Sequence, residues 1–229
     1  MTDALRVILE IGKKRRVVAG AMDWPGLDRW GTSEDDALAK LESYLPRYAD
    51  VPKRIGEASA FKKATDLRVV ERVPGSSSTD FWGIAHVPSE IERDVLNEKE
   101  LERRLGLLQA TWDYFDDVTE RVSAELARGP RGGGRSRDEI VRHVYASERH
   151  NFWRKVAIRE EDGVRLTPEE LAAHRVRFLD TIRAYNADGK PARSYPIQFL
   201  IRRTAQHAMD HAWEMEDKDL SGLSSRPGG

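Results

Sequence analysis

Two β-rich apolar runs open the chain, Leu5 to Ile11 and Arg16 to Met22, and the polar turn Gly12-Lys13-Lys14-Arg15 between them predicts a hairpin. Pro25-Gly26 then forces a loop. From Thr32 to Tyr48 the residues Ala37, Leu38, Leu41, Tyr44 and Leu45 recur at helical intervals behind the capping pair Ser33 and Asp36, which predicts a helix. Leu67 to Val73 alternates apolar and charged positions and is expected to return to the sheet. Phe81 to Val87 reads as a further strand.

Beyond the turn-rich stretch at 74–78 and a polar linker from Pro88 to about Lys99, the period changes to that of helices. Leu101, Leu105, Leu108, Trp112, Phe115, Val122 and Leu126 mark one face of a long first helix ending at Gly129-Pro130, before the glycine run 132–134. Ser136 and Glu139 form a capping box for a second helix, with Ile140, Val144 and Ser147 on its apolar face, running to about Ala157. Thr167-Pro168-Glu169-Glu170 opens a third, closed at Asn186 to Gly189. A fourth starts near Tyr195-Pro196 and carries Ile197, Leu200, Ile201, Thr204, Ala208, Ala212 and Met215 on one stripe. Four helices with short connections imply an antiparallel bundle. The expected organisation is therefore α+β in two domains: a small α+β unit over 1–90, a four-helix bundle over 98–220 and a disordered tail at 221–229.

The bulk chemistry narrows the function. A net charge of -1 with 34% charged residues demands neither nucleic acid nor an anionic membrane as partner. No apolar run is long enough to cross a bilayer and the amino terminus lacks a signal-like core, so a cytoplasmic location is expected. With no cysteine, thiolate nucleophiles and disulfides are excluded, and metal ligands must come from histidines and carboxylates.

The six histidines then become informative. His207 and His211 are one turn apart, so both project from one side of the fourth helix, along the ridge that includes Leu200, Thr204 and Met215. His143, three residues after Ile140 and four before Ser147, is expected to point to the core as well. Three neutral imidazoles can fill three positions of a tetrahedral site and leave the fourth open for water or substrate. The alternative is a set of separate, hydrogen-bonded core histidines. Glu148 is a candidate proton carrier or support for the ligands, or else a surface ion pair with Arg149 or Arg154. Glu214, three residues after His211, has the same two readings. His86, His150 and His174 are weaker candidates, His86 being expected away from the helices. Trp112, Trp153 and Trp213 are candidates for a pocket mouth or for the core. The basic turn Lys13 to Arg16 suggests an RNA contact or, more simply, a solvated tip.

The segments RHVYASERHNFW and RRTAQHAMDHAWEMED make the second half, Glu100 to about Leu220, resemble the DinB/YfiT-like superfamily of four-helix bundles. That resemblance implies a divalent metal, zinc or nickel foremost, held by His143, His207 and His211. It also implies a metal-dependent transferase or isomerase using a low-molecular-weight thiol of the mycothiol or bacillithiol type as cosubstrate, with an electrophile as its second substrate. The absence of cysteine agrees with a thiol supplied from outside. Asp23-Trp24-Pro25-Gly26-Leu27 followed by Gly31-Thr32 makes the first part resemble the HicB-type antitoxin fold. This implies a docking or dimerisation module, hence a homo-oligomer. The alternative function is a non-catalytic binding or regulatory protein, braced by metal, whose N-terminal unit meets a toxin or nucleic acid.

Overall fold

A computed structural model describes residues 4–64, 66–129, 133–159 and 167–223. It is an α+β protein with an N-terminal four-stranded mixed sheet followed by long helices. β1 (Ala4–Ile11) and β2 (Val17–Ala21) form the predicted hairpin, in register Val7↔Ala21 to Ile11↔Val17. β4 (Asp66–Pro74) adds to β1 in parallel, and β3 (Asp28–Gly31) adds to β2, giving the order β3-β2-β1-β4. β1 and β2 are central and almost wholly buried, which is why they read as near-continuous apolar runs.

Several expectations are corrected. β3, with the polar sequence Asp-Arg-Trp-Gly, has no alternation to reveal it and was hidden in the expected loop. Gly31 is required there, since a Cβ would meet the backbone N of Ala37 at 2.3 Å. The helix from Thr32 to Tyr48 divides into α1 (Glu34–Ser43), capped by Ser33 as expected, and the short α2 (Leu45–Tyr48). Two further short helices, α3 (Asp50–Arg54) and α4 (Ala58–Lys63), precede β4.

The expected strand at 81–87 is absent. Ser76 and Thr79 instead cap a short helix α5 (Ser77–Trp82), ended by Gly83 in the left-handed region. Strand pairing is further pre-empted by the buried Glu10 of β1, whose carboxylate accepts from the Thr79 hydroxyl and from the backbone N–H groups of His86 and Val87 at 2.8 and 2.9 Å. From α5, the Asp80 carboxylate accepts from the backbone N–H groups of Lys13, Lys14 and Arg15, so the basic turn is tied down at its base.

The long helices are α6 (Glu98–Arg121), α7 (Arg137–Ser147), α8 (Pro168–Ala187) and α9 (Ile197–Asp217). The capping boxes at Ser136 and Thr167 are present as expected. α6 stops eight residues before Gly129 because Ser123 is captured: its N–H and hydroxyl both donate to Asp219 Oδ1 at 2.9 Å. The helical path after Ser136 is also less regular than expected. It passes from α7 into a π-turn, Glu148–Phe152, and a 3₁₀ turn, Trp153–Val156, before Ala157 ends it with φ 60°. Of the tail expected to be disordered over 221–229, Ser221–Leu223 forms a 3₁₀ turn instead, and the remainder lies outside the described residues, as do 130–132 of the glycine-rich connection.

The main apolar cluster runs from Leu5 and Val7 through Trp112 and Phe178 to Met215, with two small satellites at Ile8, Met22 and Val73 and at Val18, Ala85 and Phe199. Trp112, Trp153 and Trp213 are among its largest members, so the core alternative holds for all three and none lines a pocket mouth. Ion pairs lock α9 to the sheet. Arg202 lies 2.5 Å from Asp28 of β3 and 2.7 Å from Glu92, which stands in the supposed polar linker yet is buried. Arg29 lies 2.6 Å from Asp210, its guanidinium stacked 4.2 Å from the rings of both Tyr44 and Trp213. Gly20 is the close neighbour that lets the first pair form, because a Cβ there would sit 2.3 Å from Asp28 Oδ1.

Candidate metal centre

α9 brings His207 and His211 side by side, ring centroids 4.7 Å apart, and α7 presents His143 at 5.1 and 4.9 Å from them. The ligand atoms of the three lie within 4.8 Å of one another, so this cluster can hold a metal ion. The nearest pair, His143 Nε2 and His207 Nε2, is separated by 3.3 Å. Two nitrogens bound to one tetrahedral zinc at about 2.0–2.1 Å stand about 3.3–3.4 Å apart, so this pair already has coordination spacing.

Burial corrects one expectation. His143 is exposed and His207 and His211 are partly buried, so the cluster sits in the wall of a cleft and not within the apolar core. The stripe Leu200, Ile201, Thr204, Ala208, Ala212 and Met215 takes the core side of α9, and the histidines take its flank.

Protonation favours ligation. Burial, with the neighbouring His211 and the cation of Arg203, depresses His207 well below the ordinary histidine value, and burial with His211 lowers His143 too. Both imidazoles are therefore neutral near pH 7, the form that binds metal. His211 is oriented by Glu214, whose Oε2 lies 2.8 Å from Nδ1. The hydrogen bond to His211, reinforced by Lys218, holds the Glu214 carboxyl down to about 2. Both readings given for Glu214 have a contact behind them: it meets His211, and it also pairs with Lys218 at 2.7 Å and Arg135 at 3.4 Å.

The cluster opens on a cavity of about 990 Å³ between the helices and the segment after α5. His86 and His150 line the same cavity, His86 being carried there by the hydrogen bonds of its backbone to Glu10. The expectation that His86 lies apart is thus overturned; a loop residue offers no periodicity from which its position can be read. His174 does not line it and stacks instead on Trp153, with centroids 5.2 Å apart. Three aromatic side chains line the cavity, Phe152, Tyr195 and Trp82, the last 64% exposed and lying on α5 where a strand was expected.

Glu148 is placed elsewhere. It is 2% exposed, its carboxylate gripped at both oxygens by Arg175 at 2.9 and 3.1 Å, and it is not among the residues lining the cavity. Arg175 also reaches Asp116 at 2.7 Å. Among the described residues no other histidine, aspartate or glutamate joins the three-histidine group. Asp210, nearby in the wall, is engaged by Arg29.

A second cavity of about 820 Å³ lies by Arg6, Asp23, Arg103 and Arg104. Its principal charges neutralise one another, Arg6 with Asp23 and Arg103 with Glu57, and it holds no histidine. Among the described residues no helix is long and apolar enough to cross a membrane. Comparison with known protein families, with curated proteins and with solved structures found no match to this chain.

Proposed function

We propose that the chain is a metal-dependent enzyme of the DinB-like kind, a transferase or isomerase that works on a low-molecular-weight thiol and an electrophile in the cavity beside His143, His207 and His211. The observation that carries the reading is the histidine cluster itself: three ligand nitrogens within 4.8 Å, one pair at 3.3 Å, on the wall of a cavity large enough for two small substrates. The packing of α7 and α8 on α9, and of α6 on α9, supports the four-helix-bundle resemblance, and the β1-β2-β3-α1-β4 order supports the antitoxin-like one.

The three histidines would be the ligands, and zinc or nickel suits an all-imidazole set. Such a metal would stabilise a bound thiol as its thiolate and so provide a nucleophile at neutral pH. The protein's own residues do the rest. Glu214 would accept a hydrogen bond from Nδ1–H of His211 and so leave Nε2 free to face the cluster. Phe152, whose ring lies 5.7 Å from that of His207, keeps one side of the site apolar. Glu148, buried in a two-point pair with Arg175 away from the cavity lining, would serve to hold α8 to the turn after α7. The N-terminal unit would serve as a docking or dimerisation module.

Metal analysis of purified protein, followed by a thiol-consumption assay with an electrophile, tests the reading. One zinc or nickel per chain and metal-dependent loss of thiol are expected. Equal metal content in His207→Ala and His211→Ala would end the proposal, and metal without turnover across several thiols would leave a bracing role.

A further inference from the structure

The cavity's charge is lopsided. Five cationic residues line it against one carboxylate, Asp210, which already faces Arg29 at 2.6 Å; Arg135 meets Glu214 at 3.4 Å, and Lys155, Arg193 and Arg203 are the cations that bear on a ligand here. Arg203 stands out because it is 8% exposed and has no ion-pair partner among the described residues. Its Nη1 donates to Gln206 Oε1 at 2.8 Å, while its buried Nε has no hydrogen-bond partner. A buried guanidinium in this state is costly, and its desolvation lowers its pKa. Natural proteins keep such groups where a ligand completes them. By contrast Arg202, the adjacent residue, is buried with two carboxylates against it.

Position gives the group its purpose. Arg203 precedes His207 by one turn of α9, so guanidinium and imidazole share a ridge that faces the cavity. Arg193 approaches from a turn closed by two backbone hydrogen bonds between Ala192 and Tyr195, and is held at φ 56°, a conformation that non-glycine residues seldom adopt. Lys155 lies 3.9 Å from the centre of the Tyr195 ring, in the same wall. Arginine's fork of donors matches the paired oxygens of a carboxylate or phosphate.

We propose that Arg203, with Arg193 and Lys155, forms an oxyanion-binding subsite beside the histidine cluster, so that a substrate of this cavity carries a carboxylate or a phosphate. This deepens the enzymatic reading and rests on it for the word substrate; the subsite itself needs no metal.

The full chain, stripped of metal with chelator, is titrated by calorimetry with inorganic phosphate and, separately, with malonate. One saturable site for at least one of the two is expected, and the tighter anion tells phosphate from carboxylate. Arg203→Gln is expected to weaken it by about tenfold or more, and Arg193→Ala by a smaller factor, with zinc content unchanged in both. Should Arg203→Gln fail to fold, Arg193→Ala and Lys155→Ala, on or near the surface, serve in its place. No binding of either anion to the wild type, or affinity unchanged in all variants that fold, would overturn the subsite. Loss of metal in His207→Ala with phosphate or malonate binding intact shows the two readings to be separate, and anion binding in a protein that takes up neither zinc nor nickel sinks the metal reading alone.

Discussion

His211 Nδ1 and Glu214 Oε2 lie 2.8 Å apart on successive turns of α9, so the orientation of one candidate ligand is set within its own helix. Glu214 is in turn held by Lys218 at 2.7 Å. Glu214→Gln removes the charge that fixes the His211 tautomer and is expected to weaken zinc binding by about 10–100-fold while leaving the fold intact. Competition with a chromophoric chelator measures it; unchanged affinity would detach Glu214 from the site.

Asp28 sets a dependence of stability on pH. Burial pushes its carboxyl up to about 6 from an ordinary 3.8, even with Arg202 at 2.5 Å, since that one guanidinium also serves Glu92. Asp28 Oδ2 has no hydrogen-bond partner among the described residues, so little besides Arg202 offsets the burial of its charge. The folded protein then keeps a proton that the unfolded chain releases near 3.8, so this group's contribution to stability falls as pH rises from about 4 to about 6 and is constant above. Asp28→Asn is expected to flatten that part of the profile in urea unfolding at a series of pH values. Identical slopes for both proteins would refute the assignment.

Removing Arg202 itself is a harsher change. Arg202→Met leaves Asp28 and Glu92 buried together without a cation and is expected to cost about 3–5 kcal/mol of unfolding free energy. Gly20→Ala, which would drive a Cβ to within 2.6 Å of the Arg202 guanidinium, is expected to destabilise through the same pair. Denaturant midpoints of the two variants and of their combination check this. The double variant should lose less than the sum of the single losses.

For Glu148 the expectation separates support from chemistry. Glu148→Gln weakens a buried two-point ion pair with Arg175 and is expected to destabilise by about 3 kcal/mol with zinc content unchanged. If the variant kept its stability and lost thiol turnover alone, Glu148 would return as a proton carrier.

Glu10→Ala strips the acceptor from the Thr79 hydroxyl and from two backbone N–H groups, at about 1–3 kcal/mol for each group left buried and unpaired. Limited proteolysis is expected to cut more rapidly within 76–88 in this variant. Cleavage rates equal to wild type would show that other contacts hold the segment.

The parts of the molecule legible in the sequence are those whose burial has a period. The β1–β2 hairpin, β4 and the four long helices announced themselves through runs or stripes, and Ser136 and Thr167 gave helix starts through capping chemistry. Two of the three clustered histidines shared a face by simple spacing, and His143 was placed beside them by resemblance. What escaped is what depends on partners distant in sequence. β3 is polar because Asp28 and Arg29 serve α9, and α6 ends early because Asp219, 96 residues on, captures Ser123. His86 reaches the cavity through a carboxylate on β1. The unpaired Arg203 is equally invisible, since only the absence of an acid near it gives it meaning.

The two ion pairs between β3 and α9 stand eight residues apart on the helix, at Arg202 and Asp210. A helix turns by about 100° for each residue, so a slip of one position would swing His207 and His211 out of the cleft and an apolar side chain into it. With both pairs made, α9 can neither slide nor roll. β3 thus acts as a key that sets the helix's angle, and a chain cut down to its helical half would lose the aim of its histidines before it lost its helices.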